Sequence, residues 1–170
     1  PGMCTATWMF EDDGYEVFLS RDERKTRAPA LPPSYHMLNG VTFLSPADGN
    51  FGGSWIAANE AGMTLAMLNR YGTGVAREKA GMTSRGLLLV SLMDVQRVAD
   101  LPGRIRSLDL DRANPFSLLA FDPTGHPMRY VWDGRDLTLA ELVDAELPVS
   151  TSSVAPVRVA KRRRKALEQF

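Results

Sequence analysis

Pairs of alternating segments that close on tight-turn residues constrain this chain most, because each pair can satisfy its backbone locally as a β-hairpin. Thr5 to Phe10 alternates small and bulky residues, Glu11-Asp12-Asp13-Gly14 is a polar turn, and Tyr15 to Leu19 alternates again. Ser54 to Asn59 and Met63 to Asn69 flank Glu60-Ala61-Gly62 in the same way. Ser117 to Phe121, Met128 to Trp132 and Asp136 to Leu139 are separated by Asp122-Pro123-Thr124-Gly125 and by Asp133-Gly134. Asp-Gly between alternating segments is a strong hairpin signal. Between these groups, Ser84 is a candidate N-cap for a helix through Met93, and Val95 to Leu108 predicts a second helix that Pro102 and Gly103 must kink or divide. The charged, then proline-rich stretch Arg21 to Pro33 reads as a loop. Val149 to Ser152 closes the strands and Val157 to Phe170 reads as a last helix. Hairpins with helices grouped between them predict an α+β sandwich of antiparallel sheets, not a doubly wound sheet.

Composition narrows the function classes. A chain of 170 residues with 44% hydrophobic content can bury a core of its own as one domain. Lys plus Arg and Asp plus Glu both number 20, so there is no general attraction to nucleic acid or to an anionic membrane. Apolar runs such as Leu87 to Val90 are far shorter than the roughly 20 residues that span a bilayer. One cysteine, Cys4, cannot form an internal disulfide, and no charged-then-apolar leader opens the chain. A cytoplasmic setting is the expectation.

Pro1-Gly2 precedes Met3, where a natural reading frame would begin. The expectation is therefore that residues 1 to 3 are a short added remnant plus the initiator methionine, and that residues 4 to 170 are the domain. Aminopeptidase removes an initiator methionine before a small side chain, so the native chain would start at Cys4. With Pro1-Gly2-Met3 in place the cysteine's own amine is blocked.

Met3-Cys4-Thr5 followed by a hairpin, Ser20-Arg21-Asp22-Glu23, Gly52-Gly53-Ser54-Trp55-Ile56 and Leu68-Asn69 occur in that order. Together they resemble the Asn-Arg-Asp-Glu (NRDE) family, also called transport and Golgi organisation 2. The likeness is closest from Met3 to about Leu92 and continues more loosely through Leu118 to Asp122 and Ser150 to Ser153. That family in turn resembles the N-terminal nucleophile hydrolases of the choloylglycine hydrolase and penicillin V acylase group. The resemblance implies an αββα four-layer sandwich, with Cys4 as nucleophile, Arg21 as an active-site arginine and Asn69 as an oxyanion ligand. It implies Asp22 or Glu23 for orienting the cysteine's amine, and Ser152 where the group has a second asparagine. Trp55, within the glycine-serine motif, is the further substrate-side candidate. Two departures matter: Ser20 stands where the motif begins with asparagine, and Phe170 ends within an apparent helix although relatives continue. The fold is thus expected to be C-terminally incomplete, without the arginine that the hydrolases supply late in their sequences.

The residue types suit that chemistry. A free thiol titrates near roughly pH 8.5, and a neighbouring guanidinium favours the thiolate. A free α-amino group, with a pKa of roughly 7.7 to 8.0, can take the thiol proton and pass it to a leaving amine. Asparagine can donate to the oxyanion. Plainer roles compete: a lone cysteine as a small buried hydrophobe, Arg21-Asp22-Glu23 as a solvated turn, Gly52-Gly53 as backbone geometry, Asn69 as a turn residue. His36 and His126 lie far apart without a ligand cluster, so no metal is expected. Gly72-Thr73-Gly74 lacks the rest of a phosphate-binding motif. Lys161 to Lys165 wraps most of a helix and reads as a solvated face.

Two functions follow from different classes. One is a cysteine amidohydrolase that acts on a small non-peptide C–N amide and needs no cofactor. The other is a non-catalytic family member that binds or traffics haem or acyl-lipid, with methionines such as Met9, Met63, Met67 and Met82 lining an adaptable apolar pocket. Either leaves room for a homo-oligomer.

Overall fold

The computed structural model describes residues 3–22, 25–71, 81–153 and 156–168. The first hairpin pairs β1 (Met3–Glu11) with β2 (Gly14–Asp22), as its alternation predicts. The segment Val149–Ser152, here β10, pairs with the other edge of β1, giving a three-stranded sheet in the order β10-β1-β2. Cys4 therefore lies on a central strand.

The second sheet has seven strands, joined antiparallel throughout in chain order: β3 (Leu31–Leu38), β4 (Val41–Ala47), β5 (Ile56–Asn59), β6 (Thr64–Asn69), β7 (Phe116–Phe121), β8 (Met128–Trp132) and β9 (Leu137–Glu141). The hairpin β3-β4 corrects the expected loop through Pro33. Its turn is Asn39-Gly40, with φ of +48° and +82°, the paired positive dihedrals that a two-residue hairpin turn needs. β3 is an edge strand, where Pro32 and Pro33 leave no ladder donor missing inside the sheet.

Between β6 and β7 the chain forms α1 (Arg85–Val90) and α2 (Leu101–Arg106). Ser84 is the N-cap of α1 as expected, but the helix stops at Ser91 rather than reaching Met93. Pro102 does not kink a helix; it sits in the first turn of α2, where its missing N–H costs nothing. The last helix, α3, runs Pro156–Leu167.

Strand alternation sorts the core into two layers. Leu65, Met67, Phe116, Leu118 and Ala120 face α1 and α2, packing on Leu88, Leu89, Leu92, Leu101 and Ile105. Ala66, Leu68, Leu119 and Phe121 face the small sheet and meet Cys4, Ala6 and Trp8. Tyr15 locks this inter-sheet layer, its hydroxyl 2.6 Å from the Gly62 carbonyl oxygen and 2.9 Å from Thr64 Oγ1. The outer face of the small sheet carries α3, whose Arg163 lies 3.8 Å from Met3 Sδ and 3.5 Å from Asp22. The layers run helix, sheet, sheet, helix: an αββα sandwich of α+β class.

Asp122, in the loosely matching stretch, has a structural role. Its carboxylate accepts the Val98 N–H at 2.8 Å and the Thr124 N–H at 3.0 Å, tying the helical segment to the end of β7. No helix is long and apolar enough to cross a membrane among the described residues.

Candidate active site

The register of the first hairpin places Cys4 directly opposite Arg21, and cross-strand partners share a face. That face looks into the space between the two sheets, where Cys4 is buried. On the other side Cys4 pairs with Thr151, whose hydroxyl is buried without a hydrogen-bond partner among the described residues.

A cavity of about 300 Å³ opens beside this thiol. The large sheet brings Asn69 from the end of β6, Met67 from within it and Trp55 from just before β5. Asn69 Nδ2 donates to the Tyr71 hydroxyl at 3.1 Å, and its amide carries a second N–H. The entry to α1 contributes Ser84 and Arg85, which requires the helix to touch the loop before β5. Gly53 and Gly86 make that contact: a Cβ on Gly53 would lie 2.5 Å from the Gly86 carbonyl carbon, and the Ser54 N–H donates to the Gly86 oxygen at 3.1 Å. Gly52 supplies the positive φ, +69°, but Gly53 is there for close approach.

Asp48 organises the cationic side of the cavity. Its carboxylate accepts from Arg21 Nη2 at 3.0 Å and from Arg27 Nη2 at 2.8 Å, while its Oδ1 also accepts the Asn50 and Phe51 N–H groups at 3.0 and 3.1 Å. Arg21 lies over the Trp55 ring, 4.4 Å from its centroid, and Arg27 over Phe51 at 5.3 Å. Burial alone would raise the Asp48 carboxyl, but the Arg21 hydrogen bond, the two N–H groups and Arg27 outweigh it and hold the pKa below the usual carboxylate range. A depressed carboxyl stabilises the fold above its unfolded pKa, roughly 3.9, and loses that contribution as pH falls through the folded value. Asp48→Asn is expected to cost about 2 kcal/mol at pH 7, because two guanidiniums lose their shared partner. Urea unfolding should show the gap from the parent narrowing progressively below about pH 4; a gap constant with pH would contradict this.

Arg85 is the third cation among the described lining residues. Its Nη1 donates to the Pro115 carbonyl at 3.0 Å. Burial lowers its pKa, opposed by the electrostatic influence of Tyr71 and of the nearby Cys4.

Of the residues singled out in the sequence, Cys4, Arg21, Trp55 and Asn69 converge on the cavity. Asp22 and Ser152 do not: both are cross-strand partners of Met3, on the face opposite Cys4, and Asp22 lies toward Arg163. Glu23 and Gly72-Thr73-Gly74 lie outside the described residues. Of the four methionines, Met67 and Met82 line the cavity, Met63 is in the helix-facing core and Met9 is exposed on the small sheet. His36 sits on exposed β3 and His126 beside Glu141, and no group of three metal-ligating side chains occurs among the described residues. Sequence reasoning missed Arg27, Asp48, Arg85 and Asn114, which also line the cavity. Asp48 before Gly49-Asn50 signals an Asx-type turn, but nothing in the spacing signals the arginine clamp.

The fold is similar to that of a mutant conjugated bile acid hydrolase from Clostridium perfringens, with a TM-score of 0.60 at 13% identity, covering 95% of this chain and 57% of that one. It is also similar to penicillin V acylase from Agrobacterium tumefaciens, with a TM-score of 0.53 at 11% identity over 92% of this chain and 55% of that one. Both are N-terminal nucleophile hydrolases, and the chain spans little more than half of their length. At such identities the likeness is one of fold. No curated protein sequence matches the chain significantly. Its sequence does match the model of Transport and Golgi organisation 2 over residues 3–170, as the order of its motifs implies, and the chain belongs to that family.

Proposed function

We propose that the domain is a cysteine amidohydrolase for small non-peptide C–N amides. The observation that carries this reading is the convergence of Cys4, Arg21 and Asn69, from two different sheets, on one cavity. Cys4 Sγ attacks the substrate carbonyl carbon while the α-amino group of a chain beginning at Cys4 takes the thiol proton. The carbonyl oxygen becomes an oxyanion to which Asn69 Nδ2 donates. The C–N bond then breaks, the α-amino group returns its proton to the leaving amine, and a thioester forms on Cys4. Water hydrolyses the thioester and restores the thiol. Arg21, held by Asp48 and stacked on Trp55, keeps a positive charge beside the thiolate without having to reorganise.

The cavity, at about 300 Å³, is at the lower end of the range for ligand pockets, roughly 300–1,000 Å³. That size favours a small amide over the haem or acyl-lipid of the binding alternative, and the methionines do not converge on a pocket of their own.

The test compares the chain beginning at Cys4 with the chain that carries Pro1-Gly2-Met3, on a panel of small amides. Turnover is expected from the first and not from the second, because only the first has the amine on the nucleophile. In the active form Asn69→Ala should lower kcat about a hundredfold or more with little change in KM. Equal turnover by both chains, or an Asn69→Ala effect confined to KM, would remove the proposed mechanism.

A further inference from the structure

We infer that Arg85 anchors a carboxylate of the substrate, so that the substrate class is a small amide bearing a carboxylate. This rests on the amidohydrolase reading and narrows it. Arg21 and Arg27 share the carboxylate of Asp48. Arg85 borders the same cavity from the start of α1 with the Pro115 carbonyl as its acceptor, and has no carboxylate within ion-pair distance among the described residues. A guanidinium taken partly out of water is costly unless an anion meets it.

Among its described lining residues the cavity carries three guanidiniums, one carboxylate and one thiol. The geometry of Arg85 favours a carboxylate as its partner. Guanidinium presents five N–H donors in a planar fork, of which one is engaged by Pro115, and a carboxylate is the planar partner that fits such a fork. Holding the carboxylate at Arg85 would leave the amide carbonyl to Cys4 and Asn69, in a cavity too small for a long second arm.

Binding to the full chain carrying Cys4→Ala separates this inference from catalysis, because that protein cannot turn over. The probes are N-benzoylglycine and its uncharged primary amide, titrated calorimetrically at pH 7. The carboxylate is expected to bind at least about tenfold more tightly than the amide, and Cys4→Ala with Arg85→Met should bind the two equally. Equal binding to the Cys4→Ala protein, binding of neither probe, or a preference that survives Arg85→Met would overturn the inference. The comparison of the two probes needs no Arg85 variant, so it decides even if Arg85→Met does not fold. Hydrolysis of neutral amides by the chain beginning at Cys4 would stand in any of those cases, so the two readings fail separately.

Discussion

Cys4→Ala, made in a chain that begins at residue 4, is expected to lower kcat/KM for a small amide by at least about 10⁴-fold, because nucleophile removal eliminates the covalent path. Stability should hardly change, since alanine fills most of the thiol's place between Arg21 and Thr151 on a central strand. The combination is diagnostic. A buried structural cysteine would lose stability and keep activity; a nucleophile loses activity and keeps stability. Cys4→Ser tests the same point more narrowly, because it retains the shape and a weaker nucleophile. Kinetics on the amide panel, paired with urea unfolding of each variant, would separate the roles. Activity within tenfold of the parent would exclude Cys4 as the nucleophile.

The second large effect lies in the layer between the sheets. Phe121 is fully buried, with ring centroids 5.7 Å from Trp8 and 6.0 Å from Tyr15. Phe121→Ala is expected to cost about 3–5 kcal/mol, since it removes transfer energy and leaves a cavity walled by two sheets that cannot collapse freely. The urea midpoint should fall with little change in slope. Phe18→Ala, on the outer face of the β1-β2 hairpin and about half exposed, should remain within roughly 0.5–1 kcal/mol of the parent. Similar costs at the two positions would contradict the assignment of the core to the inter-sheet layer. The proposed site depends on that layer as well: Cys4 is on one sheet and Asn69 on the other, so loosened packing separates the proposed nucleophile from the proposed oxyanion donor.

Local signals account for much of the fold. The β1-β2 and β5-β6 hairpins and the β7-β8-β9 meander follow from alternation and turn residues, because each pairs with its neighbour in sequence. β3 escaped notice because Pro32-Pro33 and its exposure erase the alternation, although Asn39-Gly40 is itself a hairpin turn. Joining β10 to β1 is a pairing across almost the whole chain, and no local pattern encodes it.

The site divides in the same way. Cys4, Arg21, Trp55 and Asn69 were legible through the order of family motifs. Period-two alternation on β2 already opposes Asp22 to Arg21: if one faces Cys4, the other faces away. Arg27, Asp48 and Arg85 were not legible, because a loop, a strand end and a helix start converge only in three dimensions. The close approach of Gly53 to Gly86 brings Arg85 to the cavity, and two glycines so far apart in sequence give no hint of contact.

The central claim is that Cys4 forms a thioester with the acyl part of a small amide. Its most direct test is mass spectrometry of the chain beginning at Cys4, quenched in acid during turnover and digested. The account predicts an added mass equal to the acyl group on the peptide containing Cys4, absent from the chain that retains Pro1-Gly2-Met3. Hydrolysis that proceeds with no adduct, or an adduct on another residue, would contradict it.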